Sequence, residues 1–149
     1  SASFSLDKIG VITAVYPLVW GFGQLFTGKM SDHYAKKEML FWGMFLQGLA
    51  IFALPYSSSF WIIIFLSVIL GFGTALVYPT FLNTIASSTA PNQRAEIIGI
   101  FRLWRDFGYA FGALLSGIIA DSFGVDIAVY LIAILTLISA MIIRIRMPK

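Results

Sequence analysis

The stretch Met39–Gln93, MLFWGMFLQGLAIFALPYSSSFWIIIFLSVILGFGTALVYPTFLNTIASSTAPNQ, runs for 55 residues without a charged side chain. As one straight helix it would reach about 80 Å, against ~30 Å for the apolar core of a bilayer. The segment Pro55-Tyr56-Ser57-Ser58-Ser59 is a turn signal inside it. The stretch therefore divides into a helix over 39–54 and another over 60–85. Working outward, Ile9–Gly28 is a neutral run of 20 residues, which predicts a helix over 9–28. Downstream, helices are expected over 97–120, with charges only in its first part, and over 127–143. These runs far exceed the ~9–11 residues of a membrane strand and do not alternate in polarity, so helices and not barrel strands follow.

The composition agrees. The 149 residues are 59% hydrophobic, 16% aromatic and 11% charged, with a mean hydropathy of +0.89. A soluble domain carries about 25% charged residues, and no soluble fold of this length buries so much apolar surface, so lipid is the solvent. Soluble enzymes, nucleic-acid binders and secreted disulfide modules are excluded together. There is no cysteine, hence no disulfide, thiolate metal site or Cys nucleophile. His33 is the only histidine, and no His-Glu-x-x-His motif, second acid near Asp106 or Ser/His pair is present, so neither an enzyme, a metal site nor a bound cofactor is expected. Residues 1–8 lack the layout of a signal peptide, and the absence of an initial methionine suggests a fragment or processed chain.

Five spans place the two ends on opposite faces. Lys29, Lys36, Lys37, Arg94, Arg102, Arg105, Arg144, Arg146 and Lys149 fall on one side and Lys8 on the other. This bias predicts a cytoplasmic C-terminus and an outside N-terminus. The basic balance is thus an orientation signal, with attraction to anionic headgroups secondary. Tight connections at 55–59 and 121–126 leave no room for an outer domain.

A shift of 89 residues overlays the chain on itself. Gly23-x-Leu25-x-Thr27-Gly28-x-x-x-Asp32-x-x-Ala35 matches Gly112-x-Leu114-x-Ser116-Gly117-x-x-x-Asp121-x-x-Gly124, and Trp20 falls on Tyr109. The copies are three helices apart and therefore point in opposite directions, the arrangement from which many secondary transporters build alternating access.

The loop Gly28-Lys29-Met30-Ser31-Asp32-His33-Tyr34-Ala35-Lys36-Lys37 resembles the Gly-x-x-x-Asp-Arg-x-Gly-Arg-Arg signature of the major facilitator superfamily. It carries His33, Ala35 and Lys36 where the signature has Arg, Gly and Arg. These departures resemble the degenerate second-half copy. Gly71-Phe72-Gly73-Thr74-Ala75-Leu76-Val77-Tyr78-Pro79, the segment Gly99 to Tyr109 and the terminal Arg144 to Pro148 are similar to helices 10, 11 and 12 of such proteins. The resemblance covers the whole chain. It implies an all-α membrane protein, five transmembrane helices forming a partial six-helix bundle, numbered 8–12 in the family scheme, with helices 1–7 missing. It also implies secondary active transport of a small solute by alternating access in a cell inner membrane, with the lipid bilayer and a small-molecule substrate as partners. The alternative is a non-transporting scaffold or assembly protein that retains the fold. Substrate and coupling ion are not legible.

By the same resemblance Asp32 and Lys36 are expected to latch the cytoplasmic gate, together with Gly28 and Lys37; the alternative is a solvated loop whose lysines set orientation. Arg94 and Glu96 sit at the start of the fourth helix, where capping and orientation account for them; the alternative is a pairing with Lys36 or Lys37 across the cytoplasmic loops. Only 14 neutral residues separate Asp106 from Asp121, about 21 Å of helix. Arg102, Arg105 and Asp106 are therefore expected within the inner headgroup zone or about a turn below it, with Arg102 and Asp106 on one face as a pair, either anchoring the helix or completing the gate. Gly108, Gly112, Ser116 and Ala120 form a ladder at spacing four, and with Gly21, Gly23, Gly71 and Gly73 they read as close-packing positions. Tyr16, Trp20, Gln24, Tyr78 and Tyr109 are the candidates for a substrate cavity. Proline follows both Tyr16 and Tyr78, freeing a backbone carbonyl for a ligand or for bending.

Overall fold

A computed structural model of the chain describes residues 4–147, except the side chains of residues 31–33. Five helices follow one another: α1 (Leu6–His33), α2 (Lys36–Ala53), α3 (Phe60–Ser87), α4 (Arg94–Phe123) and α5 (Val125–Arg146), with a short 3-10 turn at Leu54–Tyr56. Among the described residues there is no strand. The helices run past the neutral stretches because charges at headgroup depth do not break a helix. Asp7 sits in the first turn of α1, where the dipole favours an acid. At its other end α1 continues through the Gly28–His33 segment and stops where the Tyr34 N–H closes on the Met30 carbonyl. Pro55 within the 3-10 turn ends α2. The join of α4 to α5 is one residue, Gly124 at φ +95°, a backbone conformation that only glycine takes without strain.

Four of the helices are long and apolar enough to cross a membrane by length and composition alone. The exception is α4, 30 residues long, whose first half holds Arg94, Glu96, Arg102, Arg105 and Asp106. Large apolar side chains point outward all round, among them Phe22, Phe26, Trp61 and Leu114, each more than 60% exposed. That is the surface expected of rods dissolved in hydrocarbon.

The order of contacts sets the directions. Phe4 meets Phe60, Gly71 lies against Tyr16 and Val19, and Gly23 lies against Ala75, so α1 and α3 run parallel. Phe81 meets Phe101 and Tyr78 meets Arg105, so α4 runs against α3. The two copies of the internal repeat, on α1 and α4, therefore run in opposite directions, as their spacing of three helices required. Likewise α2 is antiparallel to α5, through Glu38 with Arg144 at one end and Phe52 with Tyr130 at the other.

The interior is made of small residues. Ala50, Ala75, Ala133 and Ala140 are fully buried, and Gly43, Gly48, Gly71 and Gly73 let backbones touch. A Cβ on Gly73 would stand 2.7 Å from the Gly43 carbonyl oxygen, and one on Gly43 would stand 2.9 Å from that of Gly73. This is the crossing of α2 and α3, and it follows the rule that membrane helices associate through small residues. Gly48 receives Leu137 of α5 in the same way. Gly23, Gly71 and Gly73 are thus close-packing positions. Gly21, Gly108, Gly112 and Gly117 are not: an added Cβ there meets nothing within 4 Å, and Ser116 only donates back to the Gly112 carbonyl. No residue of α4 is buried; of the ladder, Gly108 and Gly112 are exposed and Ser116 and Ala120 half-buried.

Pro79 produces the other cross-link. Its ring nitrogen carries no hydrogen, so the Ala75 carbonyl one turn earlier has no helical donor. The hydroxyl of Thr27, itself 1% exposed, donates to that oxygen at 2.6 Å. The carbonyl freed by the proline is therefore held by α1 and is not offered to a ligand.

Candidate functional site

Three helices line a cavity of about 680 Å³ with Tyr16, Trp20 and Gln24 of α1, Thr74 and Tyr78 of α3, and Arg105 and Tyr109 of α4. All five cavity candidates read from the sequence meet here, joined by Thr74 and Arg105. On α1 and α4 the lining residues recur at spacing four, which keeps them on one helix face. Arg105 lies eleven residues inside the start of α4, about 16 Å along its axis and well below the basic end of the bundle.

The walls are organised by aromatic and hydrogen-bonding contacts. Tyr16 stacks on Trp20 with ring centroids 6.2 Å apart, and Trp20 meets Tyr78 edge-on at 6.3 Å. The Tyr16 hydroxyl donates to Thr74 Oγ1 at 3.4 Å, and Thr74 donates to the Leu70 carbonyl at 2.9 Å. Arg105 Nη1 donates to the Tyr78 hydroxyl at 3.1 Å, and the guanidinium lies 5.8 Å from the Tyr78 ring and 6.0 Å from that of Tyr109. Together these contacts orient the guanidinium between the two tyrosines. Behind it, Asp106 Oδ1 accepts from Arg105 Nε at 2.9 Å. The Trp20 Nε1–H is shielded from solvent and has no hydrogen-bond partner among the described residues.

The polar residues at the basic end are separate from this cavity. Lys36 Nζ donates to Ser87 Oγ at 2.6 Å, tying the start of α2 to the end of α3, and Arg94 Nε donates to the Thr89 carbonyl at 3.3 Å. Lys36 and Arg94 thus make these contacts where a pairing across the loops was the alternative. Gly28 closes toward the end of α1, Lys37 is half-buried in the first turn of α2, and the side chain of Asp32 lies outside the described residues. Arg102 is exposed on α4. The expected Arg102–Asp106 pair is replaced by Arg105–Asp106, and Arg105 joins the cavity wall instead of the basic end.

The sequence model of the Major Facilitator Superfamily matches residues 1–149, the whole chain. The chain belongs to this family. An uncharacterized MFS-type transporter of Methanocaldococcus jannaschii is 27% identical over 135 residues, which cover 91% of this chain and 35% of that protein. The hexuronate transporter of Bacillus subtilis is 25% identical over 140 residues, 94% of this chain and 33% of its own length. The proton-coupled antiporter flippase LtaA of Staphylococcus saprophyticus is 27% identical over 129 residues, 80% of this chain and 32% of its own. The chain spans about a third of each of these relatives. The MFS chain is thus a multi-pass membrane segment of a transporter family.

Two features of this MFS segment escaped sequence reasoning. Thr74 reads as one more small residue in a glycine-rich helix. Arg105 had a signal that could have found it: the 89-residue shift that sets Trp20 on Tyr109 also sets Tyr16 on Arg105, and all four line the cavity. A third feature lies elsewhere, where Glu38 pairs with Arg144 and the latter's guanidinium lies 5.1 Å from the Phe41 ring. Partners 106 residues apart leave no local trace.

Proposed function

We propose that this chain forms part of a secondary active transporter and supplies one wall of its solute path, which opens alternately to the two faces of the membrane. The observation that carries the reading is the cavity itself. Repeat-related pairs, Tyr16 with Arg105 and Trp20 with Tyr109, face one space from oppositely directed helices. Inverted repeats around a site near mid-membrane are the construction that rocking transporters use. The open face of α4 is where the remaining helices of a longer protein would pack, completing the cavity. By the positive-inside rule the basic end of the bundle is cytoplasmic and the Phe4 end is outside.

In this reading Gly28, Asp32, Lys36 and Lys37 belong to a cytoplasmic gate, with Arg102 nearby, while Arg105 and Asp106 serve the cavity. The test is solute uptake by the complete protein in vesicles, with and without a proton gradient. Wild-type protein accumulates a small solute, and charge reversal Asp32→Lys lowers uptake with little loss of membrane insertion. Unchanged uptake by that variant removes the gate, and no uptake of any solute favours a non-transporting scaffold.

A further inference from the structure

We infer that the cavity binds an organic anion, with Arg105 as the cation that holds its carboxylate or phosphoryl head. This rests on the cavity being the solute path. Among its lining residues Arg105 alone is charged. Its counter-ion, Asp106, is 61% exposed and stands behind the guanidinium, outside the lining. The carboxylate holds Nε and Nη2 at 2.9 Å, and Tyr78 accepts from Nη1. A guanidinium has five N–H donors, so one hydrogen remains on each terminal nitrogen. Together they can serve the oxygens of an anionic head.

The other polar groups lean the same way. The hydroxyl protons of Tyr16 and Thr74 are spent on Thr74 and the Leu70 carbonyl. Tyr78 accepts from Arg105, which leaves its own proton to donate. The Trp20 indole N–H is sheltered from the cavity and contributes its ring to the wall, not its donor. Gln24 and Tyr109 can donate or accept and so fit either kind of ligand, whereas the charge of Arg105 on α4, beside the free Tyr78 proton on α3, favours an anionic head. Four aromatic rings, Tyr16, Trp20, Tyr78 and Tyr109, form most of the wall, so the ligand carries a ring or apolar body and is not a bare inorganic ion.

The experiment is calorimetric titration of the complete purified protein with benzoate and phenyl phosphate, their neutral counterparts benzamide and dimethyl phenyl phosphate, and inorganic phosphate. At least one organic anion is expected to bind, with its neutral counterpart weaker by about 10- to 100-fold, the loss typical of one charge-assisted contact. Arg105→Gln should lose a similar factor, and Arg105→Lys, which keeps the charge but not the fork, should fall between. Melting of the unliganded variants shows whether each is folded. Carboxylate or phosphate selectivity identifies the head. Equal or better binding of the neutral counterparts, binding of inorganic phosphate alone, no binding of any probe, or an anion affinity untouched in folded Arg105→Gln overturns the inference; uptake of some other solute by the same protein then leaves the solute path standing, and no uptake of any solute removes it too.

Discussion

Replacing Thr27 by valine keeps the branched shape of the side chain and deletes one hydroxyl. That hydroxyl is buried and donates to the Ala75 carbonyl at 2.6 Å, which Pro79 has deprived of its helical donor. An unsatisfied buried acceptor costs about 1–3 kcal/mol, while hydrogen bonds between membrane helices average ~0.6 and reach ~1.7 kcal/mol. The average is low because the unfolded state in the membrane also finds partners. Ala75 has none, so the loss should fall near the upper figure, about 1.5 kcal/mol or roughly tenfold in the folding constant. Pro79→Ala supplies the missing N–H, and in that background Thr27→Val should cost less than ~0.5 kcal/mol. The cycle then gives a coupling of about 1 kcal/mol between residues on different helices. Reversible unfolding of the four proteins in mixed micelles measures it. An equal cost of Thr27→Val with and without the proline would refute the reasoning, as would no cost in the proline background.

Gly73→Ala should destabilise by about 1–3 kcal/mol, because its Cβ meets a backbone oxygen at 2.7 Å that cannot rotate away. Adding Gly43→Ala should then cost less than it does alone, since both substitutions separate the same crossing of α2 and α3; additive losses in thermal unfolding contradict this. Glu38→Gln breaks the pair with Arg144, but both side chains are nearly half exposed, so stability should change by no more than ~1 kcal/mol and less in high salt. A larger, salt-insensitive loss contradicts that reading.

Much of the architecture is legible in the sequence because lipid imposes a simple rule: neutral runs of sufficient length become helices, and Pro55–Ser59 must be a break. Directions follow from counting helices. The cavity is legible in part because polar aromatics are conspicuous on apolar rods, and Tyr16, Trp20, Tyr78 and Tyr109 stand out beside prolines and glycines. Which face of a rod meets a neighbour is far less legible. A glycine at 73 and a glycine at 112 look alike, yet one touches a backbone and the other touches nothing. A rod that is apolar all round carries no amphipathic stripe to tell its inner face from its outer one. For the same reason Thr27 reads as a repeat position and not as the donor that Pro79 calls for. The spacing of Arg102 and Asp106 suggests a pair, and only the cavity's aromatic walls explain why Arg105 takes the carboxylate instead.

The account stands or falls on whether the cavity between α1, α3 and α4 opens to both faces of the membrane. The chain has no cysteine, so a single one introduced by Tyr109→Cys in the complete protein, with any other cysteines removed, reports directly. Membrane-impermeant thiol reagents applied to each face of oriented vesicles should label it from both, and a transported solute should speed labelling from one face while slowing it from the other. Reactivity confined to one face, whatever solute or gradient is present, would contradict the account.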